Sequence, residues 1–78
     1  MKNNDEIKYD NFIKEFTELF NKYDLYYEID YDRIITLYDR KTEKPKITCF
    51  EMDETGVTSG FYVDKDNYRI FKAYSKEE

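Results

Sequence analysis

Between Asp5 and Tyr23 the chain repeats its apolar side chains every three or four residues: Tyr9, Phe12, Ile13, Phe16, Leu19, Phe20 and Tyr23. That spacing places all seven on one face of an α-helix, and it predicts a helix over about residues 5–23. Asn4 or Asp5 is suited to cap its start, and Asp5 and Glu6 put negative charge where the helix dipole favours it. Asp10, Lys14, Glu18 and Lys22 alternate in sign at four-residue intervals on another face. Such pairs contribute a few tenths of a kcal/mol each and mark the solvated side.

From Leu25 the period changes to two. Leu25, Tyr27, Ile29 and Tyr31 fall on one side of a strand, and Tyr26, Glu28, Asp30 and Asp32 on the other. A second strand is expected over about 33–39, joined to the first by a short turn at Tyr31-Asp32-Arg33. The polar, Pro-terminated stretch Arg40 to Pro45 reads as a loop into a third strand, Lys46 to Met52, and Asp53-Glu54-Thr55-Gly56 is turn chemistry again. Two further strands, Gly60 to Asp64 and Tyr68 to Tyr74, flank the turn residues Asp64-Lys65-Asp66-Asn67. A short helix over 67–75 is the competing reading of that last segment, because Phe71 and Tyr74 are three apart.

These elements make an α+β domain: one N-terminal amphipathic helix packed on a three- to five-stranded antiparallel β-meander. The whole chain, residues 1–78, reads as one domain, with the helix over about 5–23, the meander over about 25–74 and a frayed tail from Ser75 to Glu78. One apolar helix stripe matches one apolar sheet face, so the second sheet face, or an edge strand, is left as a contact surface.

A chain this short buries only about 60% of the surface its unfolded form exposes, and the usual reinforcements of small domains are missing. Cys49 is the single cysteine and there is no histidine, so an intrachain disulfide and a Cys/His zinc site are both excluded. Nine Tyr and six Phe supply the bulk instead, each able to bury roughly 150–250 Å². The core is expected to be built from these rings, with Cys49 as a small buried hydrophobe between Ile47 and Phe50.

The residue inventory also limits chemistry. Without histidine, Ser/His and Cys/His nucleophilic systems cannot form, and Gly56 and Gly60 alone do not make a phosphate loop. Asp64-Lys65-Asp66-Asn67 opens like a calcium loop, but Arg69 stands where the loop needs Gly and Ser75 where it needs Glu. A non-enzymatic protein without cofactor or metal is therefore expected. The formal charge of −5, from 18 acidic and 13 basic residues, argues against direct contact with nucleic acid or an anionic membrane. It suits a protein partner with a basic surface. The polar N-terminus, the lack of a long apolar run and the lone cysteine point to the cytoplasm.

Two clusters carry the candidate partner-binding residues. Tyr26, Glu28, Asp30 and Asp32 form a row along the first strand, and Glu51, Asp53 and Glu54 lie at the end of the third. Alternate strand residues stand roughly 6.6 Å apart, comparable to successive phosphates, so the row is suited to a groove built for a nucleic-acid backbone. Tyr26, Tyr38 and Tyr62 are further candidates for half-wet, interfacial positions.

Ten Lys against three Arg, with abundant Asn, Ile, Tyr and Phe, favours residues with A/T-rich codons. In size, acidity, this composition and its helix-plus-meander layout, the chain resembles small acidic accessory proteins of Gram-positive phages and mobile elements. That class includes anti-CRISPR inhibitors. The resemblance rests on the two acidic clusters and the tyrosines between them. It implies an inhibitor acting as a DNA mimic on a Cas effector or another nucleic-acid-handling protein. The alternative expectation is a structural or regulatory module that forms a homodimer, or binds a partner, through an exposed sheet edge.

Overall fold

A computed structural model describes residues 3–74, so the expected frayed tail at Ser75–Glu78 lies outside the described residues. One helix, α1 (Asn4–Lys22), precedes five strands: β1 (Leu25–Ile29), β2 (Ile35–Asp39), β3 (Pro45–Met52), β4 (Thr58–Asp64) and β5 (Asn67–Ala73). The strands lie in sequence order in one antiparallel sheet. The fold is the α+β layout that the residue pattern implies, with the fuller strand count and a hairpin, not a helix, at the C-terminal end.

The helix begins one residue earlier than its pattern suggests. Asn3, and neither Asn4 nor Asp5, is the cap: its side chain accepts from the Glu6 N–H at 2.8 Å, and Glu6 Oε1 accepts from the Asn3 N–H at 3.2 Å. This reciprocal box satisfies two donors that a helix start otherwise leaves open. At the other end Asp24 takes a left-handed conformation (φ 60°), which reverses the chain straight into β1. The reversal is pinned from outside, since the Arg40 N–H donates to the Asp24 carbonyl at 2.9 Å and Arg40 Nε to the Leu25 carbonyl at 2.9 Å.

Where α1 meets the sheet, the contact is aromatic. Phe16 and Phe20 lie 4.6 Å apart, centroid to centroid, and both meet the edge of the Tyr27 ring, at 5.9 and 5.8 Å. A hollow of about 190 Å³ runs from these rings past Ile29, Ile35 and Leu37 to Phe50. The helix therefore sits at the β1 edge of the sheet. It does not lie across the whole face, because the Tyr23-Asp24 link holds it beside the strand it feeds.

Leu37, at 5% exposure, is the one buried hydrophobic side chain among the described residues. It stands opposite Tyr27 on β1 and Ile47 on β3. The aromatic core foreseen from composition is accordingly half open: Phe16, Phe20, Phe50, Phe61 and Phe71 are half-buried, while Tyr9, Phe12 and Tyr27 are exposed. Cys49 is likewise half-buried. It occupies the irregularity in β3 between Thr48 and Glu51, with φ 55°, and lines a shallow hollow with Thr48, Phe61 and Tyr68. Gly60 is buried because the Phe71 ring lies over it. Among the described residues no helix is long and apolar enough to cross a membrane.

Candidate functional site

In a meander the β1–β2 and β3–β4 turns fall at one end of the sheet, two strand spacings or about 10 Å apart. Both acidic clusters lie at this end. Glu28 and Glu51 stand near the ends of β1 and β3, Asp30 and Asp32 in the first turn, Asp53 and Glu54 in the second. Among the described residues Arg33 is the one basic residue in these two turns, and Lys72 on β5 stands level with Glu51 across Ser59.

The two turns are copies of one another in geometry. In the first, the Asp30 N–H donates to the Ile34 carbonyl at 3.1 Å and the Arg33 N–H to the Asp30 carbonyl at 3.0 Å. In the second, the Asp53 N–H donates to the Val57 carbonyl at 2.9 Å and the Gly56 N–H to the Asp53 carbonyl at 3.0 Å. Arg33 (φ 63°) and Gly56 (φ 90°) hold the equivalent left-handed positions. The leading aspartate of each turn is bound inward. Asp30 Oδ1 accepts from the N–H groups of Asp32 at 2.9 Å and Ile34 at 3.0 Å. Asp53 Oδ1 accepts from the N–H groups of Thr55 at 2.9 Å and Val57 at 3.0 Å, and from the Thr55 hydroxyl at 2.6 Å.

These bonds divide the acidic residues into two kinds. Asp30 and Asp53 satisfy turn backbone with one carboxylate oxygen, a local use of Asp that competes with any partner. Asp53 is accordingly held below the ordinary carboxylate value, first by the Thr55 hydroxyl and then by the Val57 N–H. Glu28, Asp32, Glu51 and Glu54 are exposed, and no such turn bond claims their carboxylates. The alternating row expected from Tyr26 to Asp32 thus ends at Glu28. β1 stops at Ile29, and the chain turns before Asp30 and Asp32 can continue along a strand face.

Tyr26 faces its cross-strand neighbour Tyr38, the rings stacked at 5.1 Å with planes 13° apart. Its hydroxyl is held above the ordinary tyrosine value, by loss of solvent first and then by the charges of Glu28 and Glu43. Tyr62 packs 4.9 Å from Phe71 with the Arg69 guanidinium 4.7 Å above its ring. All three tyrosines are held by neighbouring rings within the sheet.

The residue that periodicity misplaced is Tyr31. Counted by alternation on the apolar side of β1 and also placed in the Tyr31-Asp32-Arg33 turn, it belongs to the turn: it is wholly exposed (102%) at the tip, between Asp30 and Asp32. A signal for it was present: Asp30-Tyr31-Asp32-Arg33-Ile34 and Asp53-Glu54-Thr55-Gly56-Val57 share an Asp followed four residues later by a β-branched apolar residue. Aligning the two turns on their aspartates puts Tyr31 beside Asp32 at a tip, where Glu54 stands in the second copy. No group of three or more His, Cys, Asp or Glu side chains is placed to hold a metal ion among the described residues. No family model, curated protein or solved structure was found to match the chain.

Proposed function

We propose that this is a non-enzymatic binding protein that occupies a basic surface of another protein with the acidic end of its sheet. The target class is a host protein that handles nucleic acid, as in anti-CRISPR-like inhibitors acting as DNA mimics. The observation that carries the reading is the pairing of a wholly exposed Tyr31 with exposed carboxylates at Glu28, near the end of β1, and at Asp32 and Glu54 on two capped turns. An aromatic ring on a fixed loop brings contact area with little loss of rotamer freedom. Carboxylates around it steer a basic surface toward contact and match the Lys and Arg side chains that hold phosphates. The two turns stand about 10 Å apart, a span that reaches more than one phosphate-binding position.

A second reading, a partner strand added to a sheet edge, draws on β5. It pairs through seven consecutive positions with β4 and has no neighbouring strand on its outer side among the described residues.

The test is a binding titration against a Cas effector from a Gram-positive bacterium, with and without its target DNA. Tyr31→Ala and the triple reversal Glu28→Lys, Asp32→Lys, Glu54→Lys should each weaken binding tenfold or more, and DNA should compete for the same site. Both variants should melt as the parent does, because exposed side chains contribute little to folding. Unchanged affinity in the reversed variant, or a freely formed ternary complex with DNA, rejects the mimic and transfers attention to the β5 edge.

A further inference from the structure

We infer that the folded unit is a two-fold symmetric homodimer in which the first half of α1 of each copy covers the exposed apolar sheet of the other. This rests on apolar surface and is independent of the acidic end.

The chain exposes far more surface than its mass requires. Its accessible area is 7191 Å², whereas a compact monomer of 9.6 kDa exposes about 5,100 Å². The six residues outside the described span, even fully extended, account for at most about 1,100 Å² of the difference. About 1,000 Å² remains, more than the roughly 800 Å² that each partner contributes to a standard stable interface. The shape agrees: the radius of gyration is 14.7 Å, against about 11.5 Å for a compact domain of 78 residues.

Tyr68 (65% exposed) and Ile70 (72%) lie on the far face of β5, but two of the exposed apolar surfaces are complementary and belong to one core. The first is the leading half of α1. Tyr9 (58% exposed), Phe12 (57%) and Ile13 (57%) continue the stripe of Phe16 and Phe20 and stay more than half exposed, on a helix whose contact with the sheet is confined to β1. The second is the helix-side face of β3, β4 and β5. Phe50, Tyr62 and Phe71 form an aromatic cluster there, with Phe71 6.4 Å from Phe50 and 4.9 Å from Tyr62. Met52, two residues beyond Phe50 on the same face, is 66% exposed.

Width explains why one chain cannot cover both. Five strands make a sheet about 19 Å across, and one helix covers about 10–12 Å of it. The two-residue link at Tyr23-Asp24, fixed by Arg40, keeps α1 at the β1 edge. The sheet face therefore needs a second helix. The part of α1 before Phe16 is about 18 Å long, enough to cross the three strands β3 to β5. A second copy carries the missing helix, and the two-fold axis that places it offers the same service in return, which closes the assembly at two chains.

The test uses the intact chain. In light scattering coupled to size exclusion, the parent should run at twice its chain mass, with a melting temperature that rises with concentration. Ile13→Lys should shift it to single-chain mass. A reporter keeps the inference open to refutation even if that variant unfolds. In a Cys49→Ser background, chains carrying Phe12→Cys are mixed with chains carrying Met52→Cys and treated with a short bis-maleimide. Linkage between the two different chains supports reciprocal helix-on-sheet docking. Single-chain mass for the parent at about 100 μM, where an interface of this size is formed, overturns it. So does a dimer that links Phe12→Cys chains mainly to one another, which is helix-to-helix pairing, or one that links neither, which is pairing through a sheet edge.

Discussion

Leu37→Ala is the sharpest probe of where this small protein keeps its stability. Leu37 is 5% exposed and stands between Tyr27 and Ile47, beneath Phe16 and Phe20. The substitution removes three buried carbons, which at about 0.8 kcal/mol each is a transfer loss of about 2.4 kcal/mol. A tightly enclosed site would add a cavity cost and bring the total toward 5 kcal/mol. Here the hollow of about 190 Å³ beside Leu37 is already partly open, so the added cavity cost is small and the expected loss is about 2–3 kcal/mol. Total stability for 78 residues is on the order of 4–12 kcal/mol, so one side chain holds a large share. With a urea dependence of about 1 kcal/mol per molar, the midpoint should fall by about 2 M with an unchanged slope. The assay is urea unfolding followed by far-UV circular dichroism, parent and variant at one protein concentration. Ile29→Ala, which truncates a 58% exposed residue lining the same hollow, should move the midpoint by less than half as much. A Leu37→Ala shift below about 0.5 M, or no difference from Ile29→Ala, would show that Leu37 is not the centre of the core.

Three further outcomes follow from local geometry. A Cβ on Gly60 would stand 3.0 Å from Phe71 Cε2 and 3.1 Å from the Thr48 carbonyl oxygen; the ring can tilt but the backbone oxygen cannot. Gly60→Ala should therefore cost about 1–3 kcal/mol, and adding Phe71→Leu should leave part of that loss in place, as measured by urea unfolding. Asp30→Ala removes two turn bonds and should cost about 1–2 kcal/mol, while its exposed neighbour in Asp32→Ala should stay within about 0.5 kcal/mol. Equal losses would mean the turn does not depend on its cap. Because Asp53 is held below the ordinary carboxylate value, mainly by Thr55, its charge stabilises the fold above the unfolded value of about 3.9. That contribution is lost as pH falls through the lowered folded value. The parent should exceed Asp53→Asn in urea midpoint by a constant margin from pH 7 to about pH 5, and the margin should close in stronger acid. A margin independent of pH down to pH 2 would assign the effect to shape alone.

Local order in this protein was legible in the residues because it depends on neighbours in sequence. The 3.6-residue stripe from Tyr9 to Tyr23 determined a helix, the change of period at Leu25 a strand, and the Asp- and Gly-containing breaks the turns that make a meander. The acidic clusters could be named from their letters alone. Their geometry could not: alternation carried Asp30 and Asp32 along a strand that in fact ends at Ile29, and it counted Tyr31 among that strand's apolar residues as well as in the turn, because a strand's end is set by turn bonds and not by polarity. What belonged wholly to tertiary structure was coverage. Seven apolar residues on one helix face predict that the face is buried, but they do not say against what. The two-residue link at Tyr23-Asp24 and the Arg40 bonds across it fix α1 at one edge of a sheet wider than a helix. Phe16 and Phe20 thereby gain a partner in Tyr27, while Phe12, whose ring meets Phe16, and Ile13 stay more than half exposed. Burial is a property of distances between distant parts of the chain, and those distances were decided by the tether and by the width of the sheet.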